Sequence, residues 1–195
     1  MAWWGHGPSC VPERVGREAP GIDEVRPTTT SDLSAVWQLY AAVCDTQQTS
    51  AYSAAWHMGI YPSEDDFAMA LAEGTLFVGT LDGRIVSAMV LMGHDDDAYA
   101  SVTWELDVPA SEVSVLHLLA VDPSLQRQGI ARRMLDEAAR IARGWGKRAI
   151  HLDVMPHNLA ASWLYEGFGF RFAGTCPVHY DDIGATELKV YEYAL

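Results

Sequence analysis

Cysteine is scarce in this chain: three in 195 residues, at positions 10, 44 and 176. They are odd in number and widely spaced, which excludes a disulfide framework or a zinc-type ligand pattern, so reduced thiols in the cytoplasm are the expectation. Basic residues are scarce too. Thirteen Lys and Arg face 26 Asp and Glu, for a formal net charge of -13, and this excludes a nonspecific grip on nucleic acid or an anionic membrane. Long apolar runs are missing: the best, "IVSAMVLMG" at 85–93, is strand length, well short of the ~18 residues of a membrane span. The first 21 residues lack the basic start and apolar stretch of a secretory leader. Several catalytic motifs are missing as well. There is no Gly-x4-Gly-Lys-Ser/Thr loop, no HExxH and no GxSxG, and "GWG" at 144–146 lacks the third glycine of a dinucleotide fingerprint.

What is present suits a globular core, with 49% hydrophobic and 20% charged residues in a length that favours one domain. Residues 1–21 read as an unpatterned, flexible N-terminal extension with Trp3 and Trp4, leaving 22–195 as the domain. "IDEVRP" alternates as a short strand ending at Pro27, and "TSDLSAVWQLYAAVCD" has helical spacing. A second helix is predicted over about 48–58, and a third in "PSEDDFAMALAEG", which has a capping serine and an acidic first turn. "TLFVGTLDGRIVSAMVLM" reads as a hairpin around Asp82-Gly83. Residues 94–112 form a polar excursion with room for strand. The remainder reads as strand "SEVSVLHLLAV", helix "GIARRMLDEAARIARGWG", strand "RAIHLDV", helix "NLAASWLYEGF" and two strands, "GFRFAGTCPVHY" and "TELKVYEYAL". Hairpins first and a strand-helix-strand-helix unit later predict an α/β (α+β) fold with a mixed sheet.

Charge is unevenly placed. Seven of the 13 basic residues lie between 127 and 148: Arg127, Arg132, Arg133, Arg140, Arg143, Lys147 and Arg148. The run "QRQGIA" at 126–131 joins a strand directly to a helix, whose first N–H groups have no partner inside the helix and attract an anion. Gly129 and the small Ala131 allow a bulky ligand to approach, and Arg127 and Arg132 flank the turn. An ordinary junction with a glycine in its turn has the same pattern. About 30 residues on, "NLAASWLYEGFGF" sets Asn158 as an N-cap, with Tyr165 two helical turns later on the same side.

With both motifs in view, the sequence resembles the GNAT superfamily of acyl-CoA-dependent N-acyltransferases. That family shows Gln/Arg-x-x-Gly-x-Gly/Ala at a strand-helix junction, matched by Gln126 to Ala131. It also shows Asn-x-x-Ala-x-x-Leu-Tyr-x-x-x-Gly-Phe, matched by Asn158, Ala161, Leu164, Tyr165, Gly169 and Phe170. The resemblance covers roughly 22–195. It implies a three-layer fold: a mixed, mostly antiparallel sheet of six to seven strands, splayed in the middle, with helices on both faces. It implies acetyl-CoA as co-substrate without a metal. The pyrophosphate would lie on backbone N–H groups of Gln128, Gly129, Ile130, Ala131 and Arg132 beside Arg127. Pantetheine would run along Leu118 to Val121, through Leu119, Ala120 and Val121, and Asn158 would join the cofactor site.

Tyr165 matches the family position that protonates the CoA sulfur. The glutamate that some members use as base has no counterpart here. His117 is the candidate in its place, in period with Val115 and Leu119, although the same pattern fits a hydrogen-bonded core histidine; Glu112 stands in reserve. Trp56, Tyr61, Tyr99 and Trp104 offer aromatic surface for an acceptor, and the acidic run (Asp95, Asp96, Asp97, Glu105, Asp107 and Glu112) favours a cation. The reading is an acetyltransferase acting on a primary amine of a small molecule or peptide by direct transfer in a ternary complex, with homodimerisation left open. A non-catalytic acyl-CoA-binding module, or transfer of another acyl group, stands as the alternative.

Overall fold

The computed structural model describes residues 21–47, 53–180 and 183–195. The predicted extension at 1–21, with Cys10, lies outside the described residues except for Gly21. The elements run β1 (Glu24–Pro27), α1 (Leu33–Gln47), α2 (Glu64–Ala72), β2 (Leu76–Leu81), β3 (Arg84–Met92), β4 (Val113–Val121), α3 (Ile130–Gly144), β5 (Ala149–Val154), α4 (Leu159–Phe168), β6 (Arg171–Tyr180) and β7 (Gly184–Ala194). The strands form one seven-stranded sheet in the order β1-β2-β3-β4-β5-β7-β6. Every neighbouring pair is antiparallel except β4 and β5, because α3 is the crossover that returns the chain in the same direction.

Local chemistry explains the boundaries. Asp82 and Gly83 both take positive φ (50° and 71°), the pairing a two-residue turn needs to match strand twist. Ser63 opens α2 by accepting from the Asp66 N–H while the Asp66 carboxylate accepts from the Ser63 N–H, a reciprocal capping box. Before α1, the Asp32 carboxylate accepts from Thr29 and from Arg26 of β1 at 2.7 Å. That guanidinium is the main reason the Asp32 carboxyl titrates well below its usual range.

The sheet is covered on both faces. α3 buries Ile130, Met134, Leu135, Ala138, Ala139 and Ala142 with α4 against one face, the alanines letting the helix lie close. α1 and α2 pack Val36, Leu39, Tyr40, Val43 and Phe67 on the other, against Val78, Ala88 and Ala120. Under α3, a Cβ at Gly79 would sit 2.3 Å from Ser87 Oγ and 2.9 Å from Met134 Sδ. Gly79→Ala is therefore expected to cost about 1–3 kcal/mol through overpacking, a fall of roughly 3–10 °C in Tm. A melt within a degree of wild type would show that α3 lifts from the sheet freely.

One expectation fails and another is narrowed. Residues 53–58 are not helical: Ala55 has φ 58° and His57 makes an isolated bridge to Tyr61. There the Gln47 side chain accepts the Ala54 N–H and Trp56 packs against Tyr40, so tertiary contacts override local propensity; residues 48–52 of that prediction lie outside the described residues. The 94–112 excursion holds no strand, only short 3-10 turns at Asp97–Tyr99 and Ala110–Glu112. It is pinned instead by side chains, notably a Trp104 ring stacked 3.5 Å from His151.

Candidate active site

The site begins where the sheet comes apart. β4 and β5 pair only at Val113–Ala149, Ser114–Ile150 and Val115–His151; beyond that the two strands diverge. On the other side of β4, pairing with β3 slips between Ala88–Ala120 and Val90–His117, so β4 carries one extra residue, a bulge. Leu118, inside it, has φ 53°, a left-handed conformation that costs a non-glycine residue about 1–2 kcal/mol. The bulge changes the side-chain phase. Val115, His117, Leu118 and Ala120 face the α1/α2 side, while Leu116, Leu119 and Val121 face α3 and α4. The predicted period linking Val115, His117 and Leu119 is thus broken at Leu118.

A cavity of about 620 Å³ occupies the split, lined by Leu116 to Leu119 of β4, Asp153 to Met155, Tyr165 of α4 and the 54–61 segment. Because the sheet is open here, groups from opposite faces share it. Tyr165 belongs to the core under α3 and α4, whereas His117, Asp96 and Tyr99 come from the other side. His117 lies between two carboxylates, with Nε2 3.5 Å from Asp96 and Nδ1 3.9 Å from Asp153. Contact with that imidazole, opposed by burial, holds the Asp96 carboxyl below its usual range. Asp153 also accepts the Tyr99 hydroxyl at 2.5 Å. Burial pushes the phenols of Tyr99 and Tyr165 well up, and the Asp153 charge adds to each.

Sequence reasoning missed Asp153, although one acid in the apolar run "RAIHLDV" was a visible signal. It also treated the acidic excursion as a unit, which it is not. Asp96 lines the cavity, but Asp95 bonds His151 at 3.0 Å, Glu105 pairs with Arg171 and Glu112 with Arg148. Glu112, held at the far end of β4 from the split, is no candidate base. His151, one strand-repeat from Asp153, sits where β4 and β5 still pair; it is buried between Asp95 and Glu192 under Trp104. Of the predicted aromatic surface, Trp56, Tyr61 and Tyr99 reach the cavity, while Trp104 packs edge-on to Tyr99 behind it.

At the end of β4 the chain turns through Arg127 (φ 62°) and Gly129 (φ 84°) into α3. Ser63 caps α2 and Asn158 caps α4, accepting from Ala161 N–H at 3.2 Å, but no side chain caps α3 and no acid lies in its first turn. The N–H groups of Ile130, Ala131 and Arg132 therefore remain for an outside acceptor. Asn158 also lines the cavity beside Tyr165, and Leu119 lies on its β4 wall, while Ala120 and Val121 pair with β3. The basic run does not ring this turn. Arg133 and Arg140 clamp Glu137, Lys147 donates to the carbonyls of Gly93 and Ser111, and Arg132 reaches the Gly167 carbonyl at 3.1 Å over the Phe168 ring. Arg127 stays exposed at the turn, so the backbone, more than the arginines, makes this place suited to an anion. Among the described residues no cluster of His, Cys, Asp and Glu could hold a metal, and no helix is long and apolar enough to cross a membrane.

Comparison with known proteins fits this geometry. The sequence model of the acetyltransferase (GNAT) family matches residues 38–170. The chain is 37% identical over 87 residues to the N-alpha-acetyltransferase RimI of Mycobacterium tuberculosis, a stretch that is 45% of this chain and 52% of that protein. It spans about half or less of the curated relatives it matches. In fold it is similar to a GNAT-family acetyltransferase from Streptococcus agalactiae, with TM-score 0.73 at 16% identity over 88% of this chain and 95% of that one. It is likewise similar to the Salmonella typhimurium protein yncA with its cofactor acetyl-CoA, with TM-score 0.62 at 16% identity over 88% of this chain and 93% of that one.

Proposed function

Because the chain belongs to the acetyltransferase (GNAT) family, we propose that it transfers an acetyl group from acetyl-CoA to a primary amine of a small molecule or a peptide, directly and within one ternary complex. The observation that carries this reading is the opening between β4 and β5, with Tyr165 on one wall, His117 on the other and an uncapped helix N-terminus at the end of β4.

In this reading the N–H groups of Gln128 to Arg132, with Arg127 nearby, hold the CoA pyrophosphate, and Leu119 to Val121 with Asn158 flank the pantetheine arm. The free edge of β4 supplies backbone N–H to the thioester oxygen. His117 accepts, directly or through water, the proton that the amine must lose, with Asp96 and Asp153 orienting its ring. A C–N bond forms as the C–S bond breaks. Tyr165 donates its hydroxyl proton toward the departing sulfur, and solvent restores the balance; the products are an amide and a free thiol. Thiol release with a panel of amines tests the proposal. Tight acetyl-CoA binding with no thiol released from any amine would reduce the protein to a binding module.

Asp96 carries its charge at neutral pH beside aromatic Trp56 and Tyr61, which suits a protonated amine arriving at the cavity. Asp96→Asn keeps the oxygen that accepts the Ala98 N–H but removes the charge. It is expected to raise the KM of a cationic acceptor about 5-fold at low salt, with acetyl-CoA KM unchanged. Equal acceptor KM in mutant and wild type at every ionic strength would leave recognition to the aromatic rings.

A further inference from the structure

Tyr40 is fully buried on α1, between Phe67 of α2 (ring centroids 4.8 Å apart) and Trp56 at the cavity wall (5.6 Å), and its hydroxyl donates to the carbonyl of Leu118. That carbonyl belongs to the bulge residue with positive φ, in the gap where β4 has no register partner on β3 and has already left β5. A strained, non-glycine conformation persists only where its surroundings impose it. Here the imposing contacts are the Leu118 side chain in the α1/α2 core and the Tyr40 hydroxyl on its carbonyl. Burial raises the Tyr40 pKa well above the ordinary phenol value, so the hydroxyl remains a donor throughout the working pH range.

We propose that Tyr40 is a positioning residue, which by holding the Leu118 carbonyl toward α1 turns the Leu118–Leu119 peptide so that the Leu119 N–H points into the split, at the thioester oxygen. C=O and N–H of a planar trans unit point in opposite directions, so a Leu118 carbonyl held toward α1 sends the Leu119 N–H away from α1, toward the side of the cavity where Tyr165 stands. Leu118 and Leu119 both line the cavity, while Tyr40 is 0% exposed and is not part of its lining. The inference rests on the acetyl-CoA reading above and adds the device that aims the oxyanion donor.

Tyr40→Phe removes the donor and leaves the ring. Loss of an aligned oxyanion donor costs about 100- to 1000-fold in kcat, and misaiming one that is still present should cost roughly 10- to 100-fold. Acetyl-CoA Kd and acceptor KM should stay within about 3-fold, because the hydrogen bond is weak to the bound thioester and strengthens as charge develops on its oxygen. The readout that a purely structural role would not move is the carbonyl stretch of bound 13C-carbonyl acetyl-CoA. In the wild type it should lie at lower frequency than in free acetyl-CoA, and in Tyr40→Phe it should return toward the free position. Tyr40→4-aminophenylalanine, which restores a donor, should recover both band and kcat. If Tyr40→Phe does not melt cooperatively, Tyr40→4-fluorophenylalanine keeps the outline without the O–H and should give the same result. A folded variant with wild-type kcat and band overturns the proposal. Wild-type protein that binds acetyl-CoA with an unshifted band also overturns it but spares the functional reading; wild-type protein that binds no acetyl-CoA defeats both.

Discussion

Tyr165→Phe is expected to lower kcat about 10- to 1000-fold, at and below the lower part of the usual contribution of general acid catalysis, while acetyl-CoA still binds. The mutation deletes one hydroxyl from a ring that remains packed edge-on against Phe170 at 5.5 Å, so the fold has little reason to change. Burial chiefly, and then the charge of Asp153, raise the phenol above its ordinary pKa of about 10, which keeps the proton in place through neutral and mildly alkaline pH. A raised pKa means that the donor is lost only above that ordinary value. The kcat profile of the wild type should accordingly show no falling limb due to Tyr165 below about pH 10. Full turnover in the mutant would assign the acid to water, and a limb near pH 8 that disappears in Tyr165→Phe would contradict the burial argument. In the proposed reaction, a phenol with so raised a pKa would give up its proton only as negative charge develops on the departing sulfur.

Gly129→Glu should abolish acetyl-CoA binding in a protein that still folds. Position 129 has φ 84° at the N-terminus of α3, where a side chain would enter the space a phosphate needs and a carboxylate would occupy the field of the first-turn N–H groups. The left-handed conformation itself costs a non-glycine residue about 1–2 kcal/mol, within the 5–15 kcal/mol of a typical domain. Gly129→Ala separates the two effects, since it incurs the backbone cost with little bulk and no charge. Calorimetry is the measurement. Unchanged acetyl-CoA affinity in folded Gly129→Glu would remove this turn from the mechanism.

The elements that repeated a clear period were legible from the residues. The stripe Ile130, Met134, Ala138, Ile141 and Ala142 announced α3, the Asp82-Gly83 pair announced the hairpin, and Asn158 with Tyr165 announced a capped helix with two groups on one side. These signals are local, arising within a few turns of chain. Residues 53–58 misled because their conformation is imposed by Gln47 and Tyr40, partners that no short window contains. The cluster of basic residues misled for a related reason. Charge is visible in sequence but its partner is not, and Glu137, Gly93, Ser111 and Gly167 had already claimed most of those cations.

The family, most of the strands and helices, the glycine at the α3 junction and the tyrosine of α4 all stood in the residues. Each depends on spacing along one stretch or on a motif whose geometry is carried by neighbouring backbone. Which acid meets His117, why Asp96 faces the cavity while Asp95 turns to His151, and how Tyr40 reaches Leu118 across 78 residues came only with the folded chain. Those facts depend on where β4 stops pairing with β5. A bulge placed one residue away would turn a different set of side chains to the cavity, because strand faces alternate with period two and the phase is set by packing against both layers at once.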